Sequence, residues 1–158
     1  MVRPSREEPL LNKLAIAAVF TLALGASAHA ASKVSWEFVV DAGRLSVEGS
    51  TISLRDVSSQ AVAFSDRPYR MARHVPVKTL VSLWGRPDIS RDPPNAGITA
   101  TVGGKLANAV VKLTNPRFVG NSLKFDSKLL EGSLPIGGSD VVLFIDAFPT
   151  AVNDQITD

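Results

Sequence analysis

Residues 97–114 read GITATVGGKLANAVVKLT. Two runs, Ile98–Val102 and Lys105–Leu113, flank Gly103–Gly104. A two-residue loop made of glycines supplies the pair of positive φ angles that a type I′ hairpin turn demands. The same Gly-Gly-Lys could suggest a phosphate loop, which needs GxxxxGK followed by Ser or Thr. Here Thr99 stands where the first glycine belongs and Leu106 follows the lysine. The stretch predicts a β-hairpin.

The neighbouring segments carry the same pattern. In KVSWEFVV (33–40), Val34, Trp36, Phe38 and Val40 fall on one face at period two, as in a half-buried strand. Leu45 and Val47, then Ile52 and Leu54, lie either side of Gly49–Ser50 and predict two short strands with a tight turn. Residues 109–113 are expected to pair with 122–130 through a loop holding Asn115–Pro116 and Gly120–Asn121, with Leu123, Phe125, Ser127 and Leu129 on one side. Asp140–Ala147 is a nearly continuous apolar run, the form of a central core strand. One segment differs. Val77, Leu80, Val81 and Trp84 recur at helical spacing between Pro76 and Gly85–Pro87, which predicts one short amphipathic helix with Trp84 as its anchor. RDPPNAG (91–97) reads as an extended loop, and the polar tail from Pro149 as loose. The predicted fold is all-β: an antiparallel β-sandwich, immunoglobulin-like or related, of seven or eight strands with one short helix.

The N-terminus reads as a targeting segment. Arg3, Arg6 and Lys13 precede the uncharged run Leu14–Gly25, and Ala28-His29-Ala30 forms a small-residue cleavage pattern. Together they predict a secretory signal peptide over residues 1–30, and a single domain over 31–158. The apolar run has 12 residues, short of the roughly 20 a membrane span needs. Export to the periplasm or the extracellular space follows, with no stable membrane insertion after cleavage. Of 17 Lys+Arg and 15 Asp+Glu, the leader holds Arg3, Arg6, Lys13, Glu7 and Glu8, which leaves 14 and 13 and a formal charge of +1. That near-neutral balance argues against nucleic acid as a partner. Cysteine is absent, which removes thiol catalysis and cysteine-based zinc sites.

The densest chemistry lies in FSDRPYRMARH, Phe64–His74. After Ser65, the residues Asp66, Arg67, Tyr69, Arg70, Arg73 and His74 crowd into nine positions. If Asp66 caps a short helical turn, then Arg70, Arg73 and His74 share one face. Guanidinium groups grip carboxylates and phosphates in a bidentate manner, so such a face suits an anionic small molecule or glycan. The competing reading is architectural: Asp66 and Arg67 pair with each other, and the arginine stems lie over apolar surface. Both readings stand on sequence alone.

Enzyme signatures are scarce. Neither GxSxG nor HExxH occurs, and calcium-loop spacing is missing. No catalytic residue, metal ligand or cofactor is assigned. The carboxylates Asp126, Glu131, Asp140 and Asp146 leave room for an alternative, a hydrolase acting on cell-envelope polymers. A structural subunit of a surface assembly is a third possibility. The preferred expectation is an exported, non-catalytic binding or interaction module that uses the Arg/His cluster.

LRDVS, Phe64-Ser65-Asp66-Arg67-Pro68, His74, Trp84, Pro94-Asn95-Ala96, KLTNPR, LLEG and Leu143-Phe144-Ile145-Asp146 run through most of the chain after the leader. In this pattern the chain resembles a family of small exported, mostly bacterial proteins of unknown function. It departs from that pattern at Arg73, where a small residue is expected. The resemblance implies export and lends no activity, cofactor or catalytic residue.

Overall fold

A computed structural model describes residues 34–148. The leader expected over residues 1–30 and the tail from Pro149 lie outside the described residues. Among the described residues, eight antiparallel strands form one hydrogen-bonded sheet: β1 (Trp36–Glu48), β2 (Thr51–Val57), β3 (Gln60–Ser65), β4 (Ala72–Pro76), β5 (Asn95–Val102), β6 (Lys105–Val119), β7 (Ser122–Gly132) and β8 (Gly137–Phe148). The spatial order is β2-β7-β6-β5-β8-β1-β3-β4, and β2 also pairs with β1. The all-β, sandwich-like architecture expected from the alternating pattern is therefore present. The added β1–β2 pairing brings six strands round into a closed ring. The β3–β4 hairpin branches off it.

One long strand makes this arrangement possible. β1 ladders with β3 over Trp36–Val39 and with β2 over Ala42–Glu48, while β8 follows its other edge. Two segments expected as separate strands thus meet in one strand that begins at Trp36, because Asp41, Ala42 and Arg44 keep pairing with β8. The inward-facing alternation shifts in β1 and β2 at the same level: Ala42 and Val57 are buried on one side of Gly43 and Asp56, Leu45 and Leu54 on the other. A Cβ on Gly43 would lie 3.1 Å from the Cβ of Asp56. Asp56 itself has φ +56°, and its carboxylate meets Arg44 at 2.8 Å.

The turns follow their residues. Gly103 and Gly104 have φ +55° and +77° and join Val102 to Lys105, the expected I′ hairpin. Gly49–Ser50 closes Glu48 against Thr51, also as expected. The loop expected around Asn115–Pro116 is not a loop. β6 runs through it with a register shift between Thr114 and Arg117 and Asn115 at φ +49°, and the chain reverses only at Gly120–Asn121. A bulge absorbs the proline without ending the strand.

The interior is solid with Trp36, Phe38, Val40, Ile52, Leu54, Leu113, Leu123, Phe125, Leu143, Ile145 and Phe148. β8 lies centrally, as its apolar run predicts; Val141, Leu143, Ile145 and Phe148 point inward, whereas Val142 and Phe144 face outward and are exposed. The helical segment packs against β3, β4 and β6, and its Trp84 reaches Phe148 at the end of β8. It comprises α1 (Val77–Ser82), a 3₁₀ turn (Leu83–Gly85) and α2 (Pro87–Arg91). Of the predicted stripe, Val77, Leu80 and Trp84 are buried and Val81 is half-buried against the core; Leu83 and Ile89, also buried, extend it. The second helix goes beyond the single one that the spacing predicts. Pro87 at its first turn, Asp88 near its start and Arg91 near its end suit a helix, though five residues hold one only when Ile89 is packed. Among the described residues, no helix is long and apolar enough to cross a membrane.

Candidate functional site

The Arg/His cluster occupies the hairpin that lies outside the ring. β3 pairs with β4 from Gln60↔Pro76 to Phe64↔Ala72 without a break in register. The reversal between them is tied down by Ser65, whose N–H donates to the Met71 carbonyl at 2.9 Å and whose Oγ accepts from the Met71 N–H at 3.0 Å. Ser65 is buried, so this pair of bonds satisfies a polar side chain inside the fold. The loop contains the cis peptide Arg67–Pro68 and Arg70 at φ +48°. The N–H groups of Tyr69 and Arg70 both donate to the Asp66 carbonyl at 3.2 Å.

This geometry replaces the expected capped helical turn. Arg70, Arg73 and His74 do not share a helical face. In a strand, neighbours point to opposite sides. Arg73 therefore shares the inner side with Ala63, and His74 shares the outer side with Val62. Helical spacing in the sequence is overridden because Ala72–Pro76 has a ladder partner in β3. Asp66 and Arg67 do not form an ion pair; the Asp66 carboxylate accepts from the backbone N–H of Arg67 at 2.6 Å. Asp66, Arg67, Tyr69, Arg70, Arg73 and His74 are all exposed. Arg44, Arg86, Lys112 and Arg117 form the ion pairs seen among the described residues, and Arg67, Arg70 and Arg73 enter none of these.

The four carboxylates of the hydrolase alternative are not brought together. Asp126 is held by Arg117 at 2.9 Å and Asn115 at 2.8 Å. Those bonds, ahead of a smaller opposing effect of burial, hold its carboxyl below the usual carboxylate range. Glu131 pairs with Val110, three strands from β8. Asp140 and Asp146 are six residues apart on β8, roughly 20 Å for extended chain. Among the described residues, no group of three or more His, Asp or Glu is placed to hold a metal ion.

The fold assembles a different acidic group. Glu37 on β1 faces outward opposite Phe64, near Asp146 of β8 and Asp66 of the hairpin loop. Burial raises its carboxyl above the ordinary value, and repulsion from Asp146 and then Asp66 adds to the effect. The sequence shows Glu37 only as the polar member of an alternating strand, and its neighbours come from positions 29 and 109 residues away. A raised folded-state value makes ionised Glu37 unfavourable to folding, a penalty present above that value and relieved as pH falls through it. Glu37→Gln is therefore expected to raise the thermal midpoint near pH 7 and to leave it unchanged near pH 3. An equal gain at both pH values would show that charge is not the cause.

Open grooves lie elsewhere on the sheet. One of about 330 Å³ runs between Gly97–Thr99, Asn108–Val110 and Glu131–Gly132. Another of about 330 Å³ lies beside Phe144, which contacts Phe64 at 5.8 Å between ring centres. The hairpin tip lines neither. No family model, curated protein or solved structure matches the chain.

Proposed function

We propose that the protein is an exported, non-catalytic binding module that takes an anionic ligand on the β3–β4 hairpin. One observation carries the reading. Arg67, Arg70, Arg73 and His74 stand exposed on an element outside the closed ring, and none of the three arginines is used in the ion pairs that engage Arg44, Arg86 and Arg117. Charged donors without an internal partner add little to stability, so their concentration on one exposed loop and edge strand favours a role in contact. The Ser65–Met71 bonds hold the ends of the loop and limit the entropy lost when a ligand orders it. Export is supported by the leader pattern over residues 1–30 and by the resemblance carried by Phe64–Pro68 and the motifs after it.

Calorimetric titration of the purified protein with phosphate, nucleotides and anionic glycans tests this reading. The double variant Arg70→Ala/Arg73→Ala is expected to bind the best of them at least about tenfold more weakly, since each charge-assisted contact is worth roughly 1.5–3 kcal/mol. The affinity should also fall as salt is raised. Equal binding by variant and parent would remove the hairpin as the site.

A further inference from the structure

We infer that the free edge of β4 accepts an extended acidic polypeptide segment as an added strand. This rests on the anion-binding reading of the hairpin and names the partner class for it. Among the described residues, β4 is the terminal strand of the sheet order, with β3 on one side only. The Ser65 N–H bonds the Met71 carbonyl, and the Val77 N–H bonds the Ser59 carbonyl at 3.0 Å. These contacts bracket one unbroken antiparallel register. In such a ladder alternate residues face the partner, so positions 71, 73, 75 and 77 direct their main-chain groups to β3. Ala72 and His74 then direct their N–H and C=O groups away from the sheet. Pro76 follows with a carbonyl alone.

The outward groups of Ala72 and His74 repeat at roughly 7 Å, the two-residue period of any β-strand. A polypeptide matches that repeat with its own main chain. A sugar polymer or a free phosphate does not. Charge then selects among polypeptides. Arg73 projects on the inner side of the edge and His74 on the outer, with Arg67 and Arg70 at the loop; Asp66 is the one acid within the hairpin, and Glu37 and Asp146 lie near it on the β1–β8 side, away from the open edge. Pairing this edge with a second copy of itself would set cation beside cation, and like charges directly across a ladder oppose pairing. Acidic side chains on the incoming strand reverse the sign. The segment is short, because Pro76 ends the row of donors.

The test uses the purified protein and three probes: a synthetic peptide alternating Glu and Thr, a sulfated oligosaccharide of equal charge, and inorganic phosphate. Hydrogen exchange at the Ala72 and His74 amides is expected to slow at least about tenfold with the peptide and to stay unchanged with the other two. Ala72→Pro removes one outward N–H, leaves the β3 ladder and retains every arginine. It is expected to weaken the peptide about tenfold while the other anions bind within about twofold of the parent. Unchanged peptide affinity in the variant, or unchanged exchange at both amides in the parent, overturns strand addition and leaves the anion-binding module standing. Binding of the oligosaccharide without the peptide also overturns it, in favour of a glycan. Failure of all three probes on the parent removes the module as well. Should the variant not fold, amide exchange in the parent decides alone.

Discussion

Replacing Trp84 by alanine is expected to lower the unfolding free energy by about 3–5 kcal/mol, the range for deleting a large buried aromatic. The indole holds the helical segment to the ring through three strands. Its ring centre lies 5.5 Å from Phe125 of β7 and 5.2 Å from Phe148 of β8, and its Nε1–H donates to the Leu113 carbonyl of β6 at 3.1 Å. Phe148 in turn meets Phe38 edge-on at 5.1 Å, so the loss propagates to β1. Side chains in such an interior cannot close a void of this size without moving strands that are themselves hydrogen-bonded. Trp84→Phe separates the contributions. It keeps an aromatic ring near Phe125 and Phe148 but leaves the buried Leu113 carbonyl without its donor, at a cost of about 1–3 kcal/mol plus some lost packing. Urea unfolding checks both, with the midpoint falling and the slope preserved. A loss below about 1 kcal/mol for Trp84→Ala would show that the helical segment is an accessory to the ring and not part of its core.

Gly132→Ala is expected to cost on the order of 2–4 kcal/mol, from left-handed backbone and a steric clash acting together. Gly132 ends β7 at φ +80°, and a Cβ there would come within 2.8 Å of the Asn108 carbonyl oxygen and 3.2 Å of the Ala109 Cα. Both atoms belong to the backbone of β6, so no side chain can rotate away. Relief requires the β6–β7 ladder to part near Ala109↔Gly132. Gly49 is the control. It has φ +59° with nothing within 4 Å of a built Cβ, so Gly49→Ala should show the conformational penalty alone, about 1–2 kcal/mol. Equal losses at the two sites in thermal or urea unfolding would mean that the close approach of β6 contributes nothing.

Several elements are legible in the order of the residues alone. Gly103–Gly104 announces its turn because only residues tolerant of positive φ fit there. Val34, Trp36, Phe38 and Val40 are all inward and buried because period-two alternation is a local property of the strand. Val77, Leu80 and Trp84 lie on a buried helical stripe for the corresponding reason at period 3.6. The same local logic fails in Phe64–His74. Spacing of three and four residues suggests a helical face, and the ladder to β3 makes a hairpin instead. It fails again at Pro116, where pairing with β7 carries β6 past a residue that ordinarily ends a strand. The Arg/His cluster is visible as composition, but not the direction in which each side chain points. The Glu37–Asp66–Asp146 grouping is not visible at all.

By itself the sequence determined the turn chemistry, the alternation that makes the fold all-β, the short helix and the concentration of cations before His74. Each depends on residues within about ten positions of one another, where backbone preference and side-chain period act directly. Tertiary structure alone decided that β1 serves β3 and then β2 with successive halves, that its inward face changes across Gly43, and that six strands close while the β3–β4 hairpin lies outside the ring. It also decided that Arg73 and His74 face opposite ways. These outcomes come from pairing between distant segments, whose hydrogen bonds and buried area outweigh the weak local preferences that the sequence displays.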